Sequence, residues 1–162
     1  MKAIQGDLIR LAQDGEFDLI VHGCNCFCTM GAGMAKAIKA AFPEAYDADR
    51  ATPSGSRAKL GTCSFAAIDR NGSPLIVVNA YTQFDWKGRG TKVDYDALRS
   101  CVRWIKGNHA GKRIGLPKLG AGLAGGDWDI IAAIIEEELA GEDLTLVEFQ
   151  KQASPPTSIG EK

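Results

Sequence analysis

Two rhythms of apolar residues alternate along this chain, one of period two and one near four. Short apolar runs at residues 2–5 (KAIQ), 18–24 (DLIVHGC), 60–68, 75–81, 113–116 and 144–149 (LTLVEF) predict strands. The run at 18–24 is apolar at its centre, as expected of a strand buried on both faces. Between strands the spacing lengthens. Met34, Ile38 and Phe42 fall four apart and predict one helix face, which Pro43 ends. Leu98, Val102 and Ile105 predict a second helix, N-capped by Asp94 and stopped at Gly107-Asn108. A third begins near Trp128 behind Asp127, and residues 8–13 predict a helical turn. Asn71-Gly72, between the runs at 60–68 and 75–81, is hairpin chemistry and makes that pair antiparallel. Residues 47–59 (DADRATPSGSRAK) are polar and read as a surface excursion, and 83–92 as a polar loop carrying Phe84 and Trp86. The sum is an α/β domain over residues 1–150 with a mixed sheet and no internal repeat. Residues 151–162 read as a disordered tail.

Composition narrows the function classes. The chain has 162 residues, 45% hydrophobic and 24% charged, enough for one sizeable core. A net charge of −1 gives no general affinity for nucleic acid or acidic membranes. No apolar run approaches a membrane span, and MKAIQGDLIR lacks a signal-peptide pattern. The five cysteines, an odd number, read as free thiols in a reducing cytoplasm.

The chemistry sits in two glycine loops. Pro117–Trp128 (PKLGAGLAGGDW) follows one strand and opens a helix; Met30-Gly31-Ala32-Gly33-Met34-Ala35 does the same earlier. Glycine lets backbone N–H groups approach a ligand, and a helix N-terminus adds unpaired donors and partial positive charge. Each loop suits an anion, and two at strand carboxyl ends fit a diphosphate between them. Gly120-x-Gly122-x-x-Gly125, with Glu148 further on, also matches a dinucleotide fingerprint. That fingerprint opens its fold, however, and here a single strand follows. The phosphate-loop signature ending in Gly-Lys-Ser/Thr is absent.

Around these loops stand polar candidates with two readings each. His22 is either a core histidine or a proton-handling group facing a ligand. Asn25 either bonds sugar hydroxyls or caps a turn. Asp7 either accepts from an exocyclic amine or closes a turn, and Asp85 is a loop acid that could serve as a base. Cys24, Cys26 and Cys28, spaced by two, would point to one side of an extended segment. They lack further ligands at metal-binding spacing, so no metal is expected and they read as small residues beside a pocket.

Taken in order, Gly6-Asp7-Leu8, Ile20-Val21-His22-Gly23-Cys24-Asn25, Met30–Ala35 and Ile114–Gly122 with Gly125-Gly126-Asp127-Trp128 resemble the macro domain family, the ADP-ribose-binding fold. The resemblance implies a three-layer α/β/α fold with a central mixed sheet and no cofactor. It places Asp7, with Leu8, at the adenine and Asn25 at the distal ribose. Backbone N–H groups at Gly31, Ala32, Gly33, Met34 and Ala35, and at Gly120, Ala121, Gly122, Leu123, Ala124 and Gly125, would hold the diphosphate. Two branches of the family bear on the reaction. One removes ADP-ribose from modified macromolecules with a lysine after the middle strand and an aspartate after Gly-Leu. Here Gln83 and Ala124 stand at those positions, with Lys87 and Lys92 nearby. The other is an ADP-ribose 1″-phosphate phosphatase with a histidine in the second strand, matched by His22, and a loop aspartate, matched by Asp85. The expectation is therefore phosphatase action on ADP-ribose 1″-phosphate. Hydrolysis of ADP-ribosylated protein or nucleic acid, and a non-catalytic ADP-ribose reader, are the alternatives.

Overall fold

The computed structural model describes residues 1–149, so the expected tail at 151–162 lies outside the described residues. In chain order the elements are β1 (Lys2–Gly6), α1 (Leu8–Gln13), β2 (Leu19–Cys24), α2 (Gly33–Ala41), α3 (Pro43–Arg50), a 3₁₀ turn (Arg57–Lys59), β3 (Cys63–Arg70), β4 (Ser73–Tyr81), α4 (Tyr95–Asn108), β5 (Arg113–Leu116), α5 (Trp128–Glu138) and β6 (Asp143–Phe149). The strands form one sheet in the order β1-β6-β5-β2-β4-β3. All neighbours are parallel except β3 and β4, which Asn71 and Gly72 join with φ of 54° and 88°. Two consecutive positive φ values give the turn whose twist matches an antiparallel hairpin.

The period-two rhythm becomes two cores, one on each face of the sheet. Leu19 and Val21 of β2, with Val78 and Ala80 of β4, pack against α4 and α5. Ile20 and Cys24, with Leu75, Val77 and Tyr81, face α1, α2 and α3. Both faces of β2 are thus covered, as its continuous apolar run requires. Two helices start on the caps the sequence predicts, Asp94 and Asp127, and Asp7 caps a third. Asp7 accepts from the Ile9 and Arg10 N–H groups, Asp94 from Ala97, and Asp127 from Asp129. Each cap supplies about 1 kcal/mol by satisfying an otherwise orphaned amide.

One stretch departs from expectation. Pro43 ends α2 but also begins α3, occupying a first-turn position that needs no N–H. Residues 47–59 run mostly along the surface as expected, but two of them turn inward. Asp49 and Lys59 are 1% and 5% exposed, brought 3.9 Å apart beneath the sheet edge. Each charge is tolerable inside because the other is there, and a pair split by ten residues leaves no local apolar signal. No described helix is long and apolar enough to cross a membrane.

Candidate functional site

β2 and β5 are neighbours in the sheet, yet the chain leaves them in opposite directions. After β2 it runs through α2 and α3 to the β3–β4 edge; after β5 it runs through α5 to β6 on the other side. A crevice opens at such a switch point. A cavity of about 840 Å³ occupies it.

One wall is the loop before α2. Its cap position, Ala32, is extended (φ −151°, ψ 161°) and provides no side-chain hydrogen bond, unlike Asp7, Asp94 and Asp127. The first helical bond runs from Lys36 N–H to the Ala32 carbonyl at 3.3 Å. The amides of Gly33, Met34 and Ala35 consequently point past the helix end with no helical acceptor. Just upstream, Cys28 and Met30 hold positive φ of 56° and 39°, a conformation that costs non-glycine residues free energy and concentrates at functional sites.

The opposite wall is the loop after β5, and its amides are not equivalent. Ala121 donates to Lys118, Gly125 to Gly122 and Gly126 to Gly120. These bonds curl the loop and consume three donors. The amides of Gly122, Leu123 and Ala124 have no acceptor among the described residues, and all three residues line the cavity. Gly126 must be glycine: a Cβ there would lie 2.6 Å from the Gly120 carbonyl and 2.5 Å from Val93 Cγ1. The two walls approach each other closely at one point, where a Cβ at Gly33 would lie 3.1 Å from Leu123 Cδ1.

Most of the residues singled out from the sequence converge here. Asn25, Gly31, Ala32, Gly33, Met34, Ala35, Gly120, Gly122, Leu123 and Ala124 line the cavity. Ala121 and Gly125 do not, because their amides close the loop on itself. Asp7 and Leu8 are also outside the lining; Asp7 Oδ1 is occupied by the α1 amides, and Leu8 is buried in the core. Asn25 takes the turn-capping role and also lines the cavity. It accepts from Phe27 N–H and donates to Thr29 Oγ1, each at 2.8 Å, and still reaches the cavity wall.

The two expected catalytic residues do not line the cavity. His22 is 1% exposed, and the alternation of β2 turns it toward α3, where its Nε2 lies 2.7 Å from Asn79 Oδ1 on β4. Burial pushes its pKa down to about 4 against a weaker opposing effect of the Asn79 bond, so the ring is neutral at pH 7. It is the core histidine of the two readings. Asp85 accepts from Lys87 N–H at 3.2 Å, while its loop neighbours Gln83 and Trp86 form the wall instead. The three closely spaced cysteines also diverge, because the segment is bent rather than extended. Cys24 stays in β2, Cys26 Sγ turns to the Gln83 carbonyl, and Cys28 Sγ turns to the Asp49 carbonyl. Burial raises the Cys24 thiol well above its ordinary pKa, which leaves it protonated and a poor nucleophile.

Several wall residues were not singled out from the sequence as ligand contacts. Thr29, Asp49, Gln83, Trp86 and Lys118 line the cavity with the loops. Lys118, two residues beyond the end of β5, pairs with Glu148 at 3.5 Å. Trp86, half exposed, is held edge-on by Phe27 at 5.7 Å.

Comparison with known proteins adds a second line of observation. The Macro domain family model matches residues 21–135. A protein of Enterobacteria phage T4, described as an uncharacterized 17.5 kDa protein in the tk-vs intergenic region, is 34% identical over 157 residues, covering 93% of this chain and 97% of that one. An ADP-ribose 1″-phosphate phosphatase of Aspergillus oryzae is 47% identical over 47 residues, which is 29% of this chain and 22% of that protein. In three dimensions the chain is similar to Thermosipho africanus DarTG, solved in complex with ADP-ribose, with a TM-score of 0.70 at 19% identity over 96% of this chain and 43% of that one.

Proposed function

Because this chain belongs to the macro domain family, we propose that its cavity binds ADP-ribose and that the protein is a phosphatase acting on ADP-ribose 1″-phosphate. One observation carries the binding reading: an uncapped helix N-terminus faces a loop with three free amides across a single crevice. Two rows of donors on opposite walls match two linked phosphates, and among the described residues no side-chain anion bonds to either row. The short, close match to the Aspergillus phosphatase supports the reaction. Water would attack the terminal phosphorus, the bond from phosphorus to the 1″ oxygen would break, and that oxygen would leave with the bonding pair and take up a proton. The products are inorganic phosphate and ADP-ribose. The donors of the two walls would hold the diphosphate and so fix the terminal phosphate in position for attack.

Gln83 and Ala124 stand where the resemblance would put the lysine and aspartate of the de-ADP-ribosylating branch, which speaks against that chemistry here. A non-catalytic reader is the second reading, favoured by the position of His22 and Asp85 outside the cavity lining. The test uses purified protein with ADP-ribose 1″-phosphate, ADP-ribose and ADP-ribosylated protein and DNA. Colorimetric phosphate release from the first, with calorimetric binding of the second, is the expected result. Tight ADP-ribose binding without phosphate release selects the reader, and free ADP-ribose from the modified macromolecules would select the hydrolase.

A further inference from the structure

Beneath the Asn25–Thr29 end of the cavity lies a buried charged cluster that the glycine loops do not account for. Asp49 of α3 is 1% exposed and reaches the cavity wall. Its Oδ1 accepts from Tyr81 Oη at 2.7 Å and lies 3.9 Å from Lys59 Nζ. Its Oδ2 is buried and has no hydrogen-bond partner among the described residues. An unpartnered carboxylate oxygen inside a protein is costly, and an ionised carboxylate is an acceptor only. What completes it must therefore be a donor.

The surrounding groups hold Asp49 in place and leave that one position open. Lys59 is engaged by the Cys26 carbonyl at 3.2 Å and Cys28 Sγ at 3.3 Å, and sits 4.4 Å from the Tyr81 ring centroid. It offsets the charge of Asp49 without turning to Oδ2. Tyr81 Oη is further fixed by Ser64 Oγ at 2.8 Å. The Asp49 carbonyl accepts from Cys28 Sγ at 3.2 Å, which ties α3 to the backbone between Asn25 and Thr29. A phosphate lying against this end would meet a carboxylate, whereas a hydroxyl would meet an acceptor with nothing else to bind.

We propose that Asp49 is a sugar-binding residue: its Oδ2 accepts a hydrogen bond from a hydroxyl of the pentose that extends beyond the diphosphate, and so selects a nucleoside diphosphate carrying a sugar over the bare nucleoside diphosphate. The inference rests on the ADP-ribose reading of the cavity and assigns the group that distinguishes ADP-ribose from ADP. Tyr81 and Lys59 act through Asp49 as positioning residues.

Calorimetric titration of the full chain and of Asp49→Asn with ADP-ribose and with ADP tests this. Asparagine keeps the shape but replaces one acceptor with a donor. Affinity for ADP-ribose should fall roughly tenfold to a hundredfold, the range for a hydrogen bond to a charged group, while affinity for ADP stays within about twofold. Unchanged ADP binding also shows that the variant is folded and the loops intact. Tyr81→Phe, which preserves the carboxylate and frees Oδ1, should reduce the ADP-ribose to ADP preference by a smaller factor, and it stands in if Asp49→Asn does not fold. Equal losses for both ligands, or an undiminished ADP-ribose affinity in either variant, would overturn the role of Asp49 while leaving the cavity reading intact. If the unaltered protein binds neither ligand, the cavity reading falls and this role falls with it.

Discussion

Replacing Ala32 with aspartate should make the protein more stable and a worse binder. Ala32 is exposed and extended at the start of α2, the backbone region in which capping residues sit, and no side chain fills that role. An aspartate there would accept from the free amides of the first turn. Capping contributes roughly 0.5–2 kcal/mol, and near 1 kcal/mol a domain of this size should melt about 2–4 °C higher. The same carboxylate would occupy donors proposed for a phosphate and oppose its charge. At about 5 Å that repulsion is roughly 0.8 kcal/mol in water and about 3 kcal/mol at an effective dielectric of 20. ADP-ribose affinity should therefore fall by about tenfold or more, and part of the loss should disappear at high salt. Ala32→Ser, a neutral cap, should stabilise similarly with a smaller loss of affinity. Thermal melts and calorimetry on the three proteins give both numbers. Unchanged affinity in Ala32→Asp would show that α2 does not hold the ligand's anion. An unchanged melting temperature would show that its first turn is not in need of acceptors.

Three further outcomes follow from the geometry. His22 is neutral in the fold with a pKa of about 4 against an ordinary 6.5, so its contribution is complete above pH 6.5 and shrinks as protonation of the unfolded chain pulls the equilibrium over. Urea midpoints should fall between pH 7.5 and 5 by the equivalent of about 2 kcal/mol, and a flat profile would contradict a buried neutral ring. Gly126→Ala forces a methyl group against the Gly120 carbonyl and Val93, and should destabilise by roughly 1–3 kcal/mol and weaken ADP-ribose binding through the displaced loop; a melting temperature and affinity equal to the parent's would show that the loop yields freely. Lys59→Met leaves Asp49 buried without its counter-charge and should cost roughly 3–5 kcal/mol at neutral pH by denaturant titration, a loss that a surface pair would not produce.

What the sequence made legible was whatever depends on neighbours in the chain. The caps at Asp94 and Asp127 satisfy amides two or three residues away, and the Asn71-Gly72 turn needs only its own φ values. Both loop walls were readable for the same reason. His22 was not, because nothing near it in the chain says whether its ring has a partner; that depends on β4 delivering Asn79 opposite it. Within PKLGAGLAGG the sequence does not rank the amides, and only the bonds from Ala121 to Lys118, Gly125 to Gly122 and Gly126 to Gly120 distinguish those turned inward from those left open. Asp49 and Lys59 were hidden most completely. Each reads as a surface residue until β3, β4 and α3 bring them together, and their burial is a property of the pair.

Gly33 and Leu123 bring the two walls of the cavity close together. Gly33 holds a φ of 58°, backbone that favours glycine, so a larger residue there would be strained as well as crowded. Leu123 is 78% exposed. The approach of the walls is thus set on one side by backbone and on the other by a solvent-facing side chain, and the two sides should respond differently to substitution.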